Sequence, residues 1–498
     1  MVEFIQLFCG AFAVALLLYY YLTSTFNFWK IRGVPGPKPM PIFGNAAGLV
    51  FGSCSGGNYL KRIYEKYKHE PMVGLFMFRS PLLVLNDPEL IKTVLIKDFS
   101  KFTDRGLYID EKNSPITQVL FSLEGKRWKN LRAKLSPVFT TGKLKDMFEM
   151  ILKHADDLEN HLDEIARSGK FIDVRDVTAK YTTDVIGDCV FGVDAKALAC
   201  DNSEFREMGR HVFRPESRIQ KRLNLQQVSP ILGNLYSFFF PDEGVEKFFT
   251  SLFMETTKYR KDHNIVKHDF VNALMGIREQ AMKEDLGLSE LVIAAQTFQF
   301  FTAGFETSAT TMSNALYELA LNQDVQDKLR EEIKEFLKNG TNLTYDNIRN
   351  LKYLDGVFRE TLRKYPPLQL LQREVMSDYS FEDMKLTVPA GIHVWIPVHG
   401  IHHNPCIYPN PLKFDPHRFD EAEVAKRHPM HYLPFGDGPR NCIGARFAVY
   451  QVKVGLMRMI HGFHFDVCEA TEVPYELDQK AFLLAPKNGI NLKITKIK

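Results

Sequence analysis

One segment of the sequence combines a cysteine, an arginine and glycines in a pattern that suits a flat metal cofactor. It reads Phe435-Gly-Asp-Gly-Pro-Arg-Asn-Cys-Ile-Gly444, and a helical pattern begins at Ala445. Glycines let the backbone approach a planar group, and N–H groups at the start of a helix can donate hydrogen bonds to the sulfur of Cys442. The charge of Arg440 favours the thiolate form of that cysteine. The segment therefore predicts a metal-bound thiolate.

A dinucleotide-binding loop is the alternative suggested by Gly436-x-Gly438. Such a loop needs a third glycine, then a strand–helix unit with an acidic residue about 20 positions further on. Asn441 stands where the third glycine would be, and the rest of the pattern does not follow. The sequence therefore does not favour nucleotide binding here.

A second set of reactive side chains lies on one long helical pattern. Ser289 is its predicted N-cap, and residues Leu291 to Ala320 contain only two charged side chains, Glu306 and Glu318. The stretch is long enough to cross a membrane, but its many hydroxyl and amide groups make it too polar for lipid. Such a pattern is typical of a helix at the centre of a large domain.

Composition narrows the class of protein that can hold these side chains. The chain has 498 residues, of which 45% are hydrophobic, and this apolar fraction excludes a disordered chain. Its formal charge of +3 is too small for a protein whose main partner is a nucleic acid. Seven cysteines, an odd and sparse set, argue against a disulfide scaffold and suit a reducing compartment.

The body is predicted to be one domain, mainly α with a small β part, because neither a Gly/Ser linker nor a sequence repeat divides it. Phe76–Leu85 and Lys385–Trp395 are predicted as short strand pairs with turns. The main predicted helices are Leu90–Lys97, Trp128–Ser136, Lys143–Ser168, Val174–Phe191, Glu243–Asn264, Ser289–Asn322, Asp324–Lys338 and Leu351–Lys364.

The N-terminus predicts a single-pass membrane anchor. Phe4 to Leu22 carries no charge and would be about 28 Å long as a helix, close to the thickness of the hydrocarbon core. A cleaved signal peptide, the alternative, would have basic residues before the apolar run and a small-residue cleavage site. Here Lys30 and Arg32 follow the run, which places the body in the cytosol. We therefore expect an anchor over residues 1–24.

Prolines at positions 35, 37, 39 and 41 follow the anchor. Proline fixes φ and removes a backbone donor, so Gly33–Pro41 should be stiff and extended, within a proline-rich connector over residues 25–45. Residues 46–498 are then the predicted catalytic domain.

The cysteine segment resembles the haem-ligand signature of the cytochromes P450, Phe-x-x-Gly-x-Arg-x-Cys-x-Gly, and matches it at every fixed position. The resemblance implies the cytochrome P450 fold and haem b as cofactor, with Cys442 as the axial ligand of the iron. Phe435, Gly436 and Arg440 would then lie beside the haem.

Three further motifs of that family are present. Trp128-x-x-x-Arg132 resembles the pair that binds a haem propionate, and Arg373 and Arg440 match two further propionate contacts. Arginine suits this role because its donors form a planar fork that fits a carboxylate. The resemblance also implies a structural triad around the haem, formed by Glu360, Arg363 and Arg418.

The central helix carries Ala303-Gly-Phe-Glu-Thr-Ser308, which resembles the family's oxygen-activation motif. Cleavage of dioxygen requires two protons, and the resemblance implies Glu306 as relay and Thr307 as the hydroxyl that delivers them. Ala303 would contact the cofactor, and Gly304 would leave room for oxygen. A thiolate ligand favours O–O cleavage by donating electron density.

The function implied is a haem-thiolate monooxygenase that inserts one oxygen atom of O₂ into apolar molecules such as xenobiotics, plant allelochemicals or insecticides. Electrons would come from NADPH through a separate NADPH–cytochrome P450 reductase, with cytochrome b5 as an optional second donor, at the endoplasmic reticulum membrane. An endogenous lipid or hormone as substrate, a reductase-independent lyase or isomerase, and a haem sensor or carrier remain the alternatives. Within the family, the chain resembles the insect microsomal family-six detoxification P450s. By analogy, the substrate pocket is expected to include Phe298, Phe301, Phe305, Leu370, Phe482 and Leu483.

Two motifs compete with this interpretation. His399-x-x-His402-His403 with Cys406 resembles a zinc cluster, but prolines crowd the segment and the spacing does not fit paired ligands, so zinc is not predicted. The basic run from Gly125 to Lys134 is typical of a solvated helix face, and in the family this face receives the acidic reductase.

Overall fold

The computed structural model describes the whole chain except residues 108, 112–113, 215, 242, 268, 285–287, 339–341 and 498. The described part is mainly helical, as predicted. In chain order its α-helices are α1 (Val2–Thr23), α2 (Phe28–Ile31), α3 (Ala47–Val50), α4 (Gly56–Tyr67), α5 (Pro88–Lys92), α6 (Gly125–Leu135), α7 (Thr141–Ser168), α8 (Val174–Ile186), α9 (Glu204–Phe213), α10 (Arg218–Val228), α11 (Pro230–Phe239), α12 (Glu243–Asp262), α13 (Phe270–Glu284), α14 (Glu290–Leu321), α15 (Gln323–Leu337), α16 (Lys352–Lys364), α17 (Val398–His402), α18 (Glu421–Val424) and α19 (Ala445–Gly462).

The β part is small and lies in three separate sheets. The largest has the order β1-β2-β7-β4, in which β2 and β7 are parallel and the other neighbours antiparallel. A three-stranded sheet has the order β3-β9-β8, and β5 pairs with β6. The strands are β1 (Met72–Met77), β2 (Ser80–Leu85), β3 (Phe171–Asp173), β4 (Leu371–Glu374), β5 (Tyr379–Phe381), β6 (Leu386–Val388), β7 (His393–Ile396), β8 (Phe463–Asp466) and β9 (Asn491–Lys496).

One predicted strand pair is wrong in its partners. Lys385–Trp395 contains β6 and most of β7, but these strands belong to different sheets. The turn between them is held from outside, because the N–H of Ala390 donates to Asp378 and that of Gly391 to the carbonyl of Val375. The chain therefore does not fold back as a hairpin here. The Phe76–Leu85 pair is confirmed as β1 and β2, although β1 begins earlier, at Met72.

Helix α14 is the long central helix that the sequence predicts. The hydroxyl oxygen of Ser289 accepts a hydrogen bond from the backbone N–H of Val292 at 3.3 Å, which confirms the N-cap. Most of its side chains are buried, including the polar ones from Thr310 to Asn314. It packs against α8, α12 and α19, so its two ends and several faces are fixed within the main core.

The N-terminal segments differ sharply in burial. In α1, residues Glu3–Thr23 have a mean hydropathy of 1.9 and none of this span is buried. The following segment docks on the body: Trp29 is buried and donates from Nε1 to the carbonyl of Leu75 at 2.9 Å, and the carbonyl of Pro35 accepts from the N–H of Gly74 at 2.8 Å. A Cβ at Gly36 would lie 2.0 Å from the carbonyl oxygen of Gly74, so this contact requires glycine.

Candidate functional site

The cysteine loop is shaped by glycines in the left-handed region. Gly436 and Gly438 have φ of 67° and 73°, and a Cβ at Gly438 would lie 1.9 Å from the carbonyl oxygen of Leu95. The N–H of Cys442 donates to the carbonyl of Phe435 at 2.9 Å, which closes the loop. Helix α19 starts three residues after the cysteine, so the sulfur lies near a helix N-terminus, as the sequence predicts.

The Cys442 thiol faces a cavity of about 280 Å³. Burial raises its pKa, while the backbone N–H of Gly444 and the charges of Arg132 and Arg105 act in the opposite direction. A metal ion at the sulfur would deprotonate the thiol outright. The donors around the sulfur therefore suit a thiolate ligand whose charge a metal balances.

Two elements form the opposite walls of this cavity. The cysteine loop contributes one wall, where the Phe435 ring lies near that of Phe358 with centroids 6.5 Å apart. One face of α14 contributes the other wall. Its lining residues recur every three or four positions and are Gln299, Phe300, Ala303, Gly304, Thr307, Ser308 and Thr311.

Arginines converge on one side of the cavity. Arg440 donates to Asp104 at 3.0 Å, and its guanidinium lies 4.0 Å from the ring centroid of Trp128. Arg132 donates from Nη2 to Oδ1 of Asn441 at 2.9 Å. These contacts bring together three residues that the sequence assigns to a haem propionate.

Arg373 is almost fully buried and lies close enough to Arg440 for their charges to interact, although it is not among the residues that line the described cavity. Its Nη1 donates to the carbonyl of Gln372, whereas its Nε has no hydrogen-bond partner in the described part of the chain. Burial and the charge of Arg440 lower the pKa of Arg373 to about 9. A buried guanidinium with an unused donor fits an anionic partner such as a carboxylate.

Arg105 is a cavity residue that the motifs do not identify. Its guanidinium donates to the carbonyls of Phe121 and Arg440 at 2.8 and 3.1 Å. Burial and the neighbouring arginines lower its pKa well below the ordinary value. No local sequence motif identifies Arg105. It is recognised as a cavity residue only because the folded chain brings it close to the other arginines. Three guanidiniums that line the cavity, with Arg373 buried close to Arg440 and Asp104 as the acidic partner of Arg440, fit the two carboxylates of a haem.

Thr307 faces the cavity, and Glu306 points away from it. The Thr307 hydroxyl donates to the carbonyl of Ala303 at 2.7 Å. Glu306 is buried, and its Oε1 accepts from Nη2 of Arg175 on α8 at 2.5 Å. The predicted relay residue is thus held in an ion pair behind the wall that Thr307 lines.

Gly304 has a packing role that the sequence does not predict. A Cβ at this position would lie 2.4 Å from Cδ1 of Ile186, at the end of α8. Gly304 also lines the cavity. The missing side chain therefore brings α14 close to α8, in addition to any space that it leaves for oxygen.

The predicted aromatic residues of the substrate pocket lie on another face of α14. Phe301 and Phe298 pack on Phe249 of α12, with ring centroids 5.1 and 5.3 Å apart, and Phe305 packs on Phe213 of α9 at 5.5 Å. Phe301 and Phe305 are fully buried. These rings are not among the residues that line the described cavity, because the helical rotation of about 100° per residue turns positions 299, 303 and 307 toward it. Their contact with substrate stays a prediction.

The other three predicted pocket residues are also outside the described cavity lining. Leu370 packs in the cluster beside the four-stranded sheet, while its neighbours Leu368 and Leu371 line the cavity. Phe482 and Leu483 are half-buried, and the N–H of Phe482 donates to Oε1 of Gln220 on α10. The loop of Phe482 and Leu483 is thus held against α10, and the contact of these three residues with substrate also stays a prediction.

The predicted structural triad is brought together in a fully buried site. Arg363 donates to Glu360 through Nε at 2.7 Å and Nη2 at 2.8 Å, and both residues have 0% exposure. The N–H of Asp415 donates to the same carboxylate at 3.0 Å, and Nε of Arg418 lies 3.3 Å from it. Arg363 also donates to the carbonyl of His402 at 3.1 Å. The triad links α16 to the segments that precede the cysteine loop.

The histidine segment is used in packing. Nε2 of His402 accepts from the N–H of Leu433 at 2.9 Å, and burial lowers the pKa of His402 to about 3. Nδ1 of His403 lies 3.0 Å from the carbonyl of His399. These histidines support the strand-rich part beside the site.

Comparisons with known proteins agree with this geometry. The cytochrome P450 family model matches residues 34–493. The probable cytochrome P450 6a14 of Drosophila melanogaster is 42% identical over 491 residues, covering 95% of this chain and 96% of that protein. Cytochrome P450 6A1 of Musca domestica is 39% identical over 493 residues, covering 97% of each chain, and cytochrome P450 6k1 of Blattella germanica is 39% identical over 498 residues, covering 96% and 94%. The resemblance to insect family-six proteins is confirmed, and the chain belongs to the cytochrome P450 family of haem-dependent monooxygenases.

Proposed function

We propose that this monooxygenase inserts one oxygen atom of O₂ into apolar xenobiotics, such as plant allelochemicals or insecticides, with electrons from NADPH delivered by a separate reductase. The observation that carries the proposal is one cavity that joins the Cys442 thiol, a set of arginines and the Thr307 wall of α14. Haem b bound there supplies the iron, and its bond to a thiolate favours cleavage of the O–O bond.

The arginine side of the cavity holds the cofactor in this proposal. Arg105, Arg132, Arg373 and Arg440 supply the donors for the two propionates, and Trp128 packs beneath the Arg440 guanidinium. Ala303 presents only a methyl group to the cavity and so lets the opposite wall approach closely. The Cys442 sulfur is the ligand of the iron.

Thr307 and Glu306 move protons in this proposal. The Thr307 oxygen donates to a helix carbonyl and keeps lone pairs that can accept a proton from water. Ser308 lines the same cavity, and its hydroxyl has no hydrogen-bond partner in the described structure, so it is a second carrier. Glu306 must exchange its contact with Arg175 before it passes a proton onward.

The composition of the wall supports an apolar substrate. The lining includes Leu120, Phe121, Phe300, Leu368 and Leu371. These side chains exclude water from the reacting centre and favour burial of apolar surface. The choice of xenobiotics over an endogenous lipid or hormone rests on the similarity to family-six proteins.

A basic surface beside the cysteine loop is the proposed docking site of the reductase. Lys126 and Lys129 are exposed on α6, the helix that carries Arg132, and Arg446 is exposed at the start of α19. Opposite charges on the partner would steer the encounter. Cytochrome b5, which would need a similar acidic surface, is a second donor in this proposal.

Two apolar features support attachment to the endoplasmic reticulum membrane with the body in the cytosol. Helix α1 is long and apolar enough to span a bilayer. Helix α11 exposes a second apolar group, in which Ile231 is 77% exposed, Phe238 64% and Phe239 61%. Such a group lies favourably in a lipid interface.

The experiment that tests the mechanism is turnover of the Thr307→Ala variant. Reconstituted with reductase and NADPH, the parent should form product with most of the NADPH that it consumes. Thr307→Ala should keep the thiolate-type carbon monoxide band and substrate binding, but form less product per NADPH and release peroxide. Acid–base assistance is typically worth about 10²–10⁴ in rate, and we expect the lower end because Ser308 and water can substitute in part.

Thr302→Val is the matched control, because the Thr302 hydroxyl donates to the carbonyl of Phe298 at 2.8 Å and does not face the cavity. Unchanged coupling in Thr307→Ala would limit that residue to helix packing. Product formation from a peroxide without reductase, and none with NADPH, would instead support the lyase or isomerase alternative.

A further inference from the structure

Gln299 is a neutral amide in the cavity wall whose side chain makes no hydrogen bond within the described residues. It lies on the cavity face of α14, half-buried, next to Phe300 and one turn before Ala303. Apart from the hydrogen bonds of the helix itself, its backbone carbonyl is a distant acceptor for the hydroxyl of Thr302 at 3.3 Å. Both its N–H₂ group and its carbonyl oxygen therefore remain free for a molecule in the cavity.

The neighbouring Gln296 shows what this helix does with a structural glutamine. Gln296 is fully buried, donates to the carbonyl of Gln118 at 2.9 Å and accepts from the N–H of Leu120 at 2.9 Å. The other amide of the cavity lining, Asn441, accepts from Arg132. Gln299 thus differs from both, since its hydrogen-bonding capacity is not used in holding the fold.

Helix geometry fixes how far this amide lies from the reacting end of the cavity. Gln299, Ala303 and Thr307 follow one another at intervals of four residues and so share a face. Eight residues at 1.5 Å each put the Gln299 backbone roughly 12 Å from that of Thr307. A rigid molecule can therefore touch the amide at one end while its other end lies beside Thr307.

We propose that Gln299 is a specificity-determining residue that selects apolar molecules carrying one neutral hydroxyl or carbonyl group at roughly two helical turns from the carbon that is oxidised. The inference rests on the proposed function. An apolar molecule without such a group would cover the amide and leave it without a partner, which weakens binding. A molecule that carries such a hydroxyl or carbonyl group forms a hydrogen bond with the Gln299 amide, which replaces the water contacts that the amide loses. The same hydrogen bond fixes the orientation of the molecule.

The test compares two probes in the haem-loaded enzyme. One is para-methylbiphenyl, and the other is the same molecule with a hydroxyl at the far para position, so that its hydroxyl and methyl group lie at opposite ends. Binding is measured by the change of haem spin state on titration, and product analysis shows which carbon is oxidised. In the parent we expect the hydroxylated probe to bind about five- to tenfold more tightly, with oxidation directed to the methyl carbon.

In Gln299→Leu, which keeps the size but not the hydrogen bond, the two affinities should agree within about twofold. Gln299→Glu should keep a preference for the hydroxylated probe, because the carboxylate still accepts its O–H. Thr302→Val, which removes a hydroxyl from the same helix outside the cavity, should behave as the parent.

A preference for the hydroxylated probe that survives in Gln299→Leu would overturn the inference. In a parent enzyme with an intact thiolate band, equal affinities for the two probes would also overturn it, and so would the absence of a spin-state change with either probe. Failure of the proposed function is distinguished by the carbon monoxide band and by NADPH-dependent oxidation of the unsubstituted probe. Neither of these depends on Gln299.

Discussion

Replacement of Glu360 by glutamine should strongly destabilise the protein, although the exchange hardly changes the size of the side chain. The carboxylate is fully buried and accepts two hydrogen bonds from Arg363 and one from the N–H of Asp415, and Arg418 lies 3.3 Å away. Glu360→Gln keeps the shape of the side chain but places an N–H₂ group against the guanidinium of Arg363. Two arginines then share a buried site without an opposite charge.

The expected loss is about 3–5 kcal/mol, because removal of one partner from a buried pair leaves an uncompensated charge. A typical domain is stable by roughly 5–15 kcal/mol, so this loss is a large fraction of the total. The double variant Glu360→Met with Arg363→Met should recover much of it, since apolar side chains of similar volume can replace a buried pair. Recovery is expected to be incomplete, because Asp415 and the carbonyl of His402 lose their partners in the double variant.

The assay is urea unfolding of the haem-loaded protein, followed in parallel by far-ultraviolet circular dichroism and by the thiolate-type carbon monoxide band. Glu360→Gln should lower the midpoint of both transitions. Glu89→Gln is the matched control, because Glu89 forms exposed ion pairs with Lys97 and His428 and its exchange should change little. A midpoint for Glu360→Gln equal to that of Glu89→Gln, with an intact haem band, would refute the reasoning.

Three further predictions concern the cofactor and the anchor. Arg132→Ala removes a charge-assisted donor worth about 1.5–3 kcal/mol, so haem should pass more readily to an acceptor protein, and equal haem occupancy with the parent would contradict this. Gly438→Ala should prevent formation of the haem protein, because the new Cβ would meet the carbonyl oxygen of Leu95, whereas Gly142→Ala, which meets nothing within 4 Å, should yield normal haem protein. Deletion of residues 1–23 should release much of the protein from membranes, but not all of it, because α11 keeps its exposed apolar side chains; complete retention would identify another anchor.

The sequence predicts well whatever depends on local pattern. The central helix is confirmed to within one residue at both ends, because Ser289 provides a cap that is visible in the sequence. Helix α7 ends at Ser168 and α16 at Lys364, as predicted. The cysteine loop and the Glu360–Arg363 pair are motifs of fixed spacing, and in both cases the structure brings the named side chains together.

What the sequence does not predict depends on rotation and on distant contacts. The phenylalanines of α14 are conspicuous in the sequence, yet rings such as Phe301 fill the core, and the cavity takes the face that includes Gln299. Both faces carry apolar residues, so periodicity alone does not assign them. Arg105 reaches the cavity only through tertiary folding. Strand β7 takes its partners from segments far away in the chain, and a hairpin pattern does not reveal them.

The docked proline segment has a consequence for how the enzyme meets its lipid surroundings. Because Pro35 and Trp29 fasten the chain to β1, and Thr25 donates to the carbonyl of Arg79, little slack separates the proposed anchor from the body. A change in the tilt of α1 would then also change the direction in which the cavity opens relative to the membrane. Helix tilt adjusts to bilayer thickness, so thin and thick nanodiscs should present the same enzyme at different angles. Membrane thickness would thus determine the depth in the bilayer that the cavity opening faces, and therefore the depth from which lipid-dissolved substrates enter.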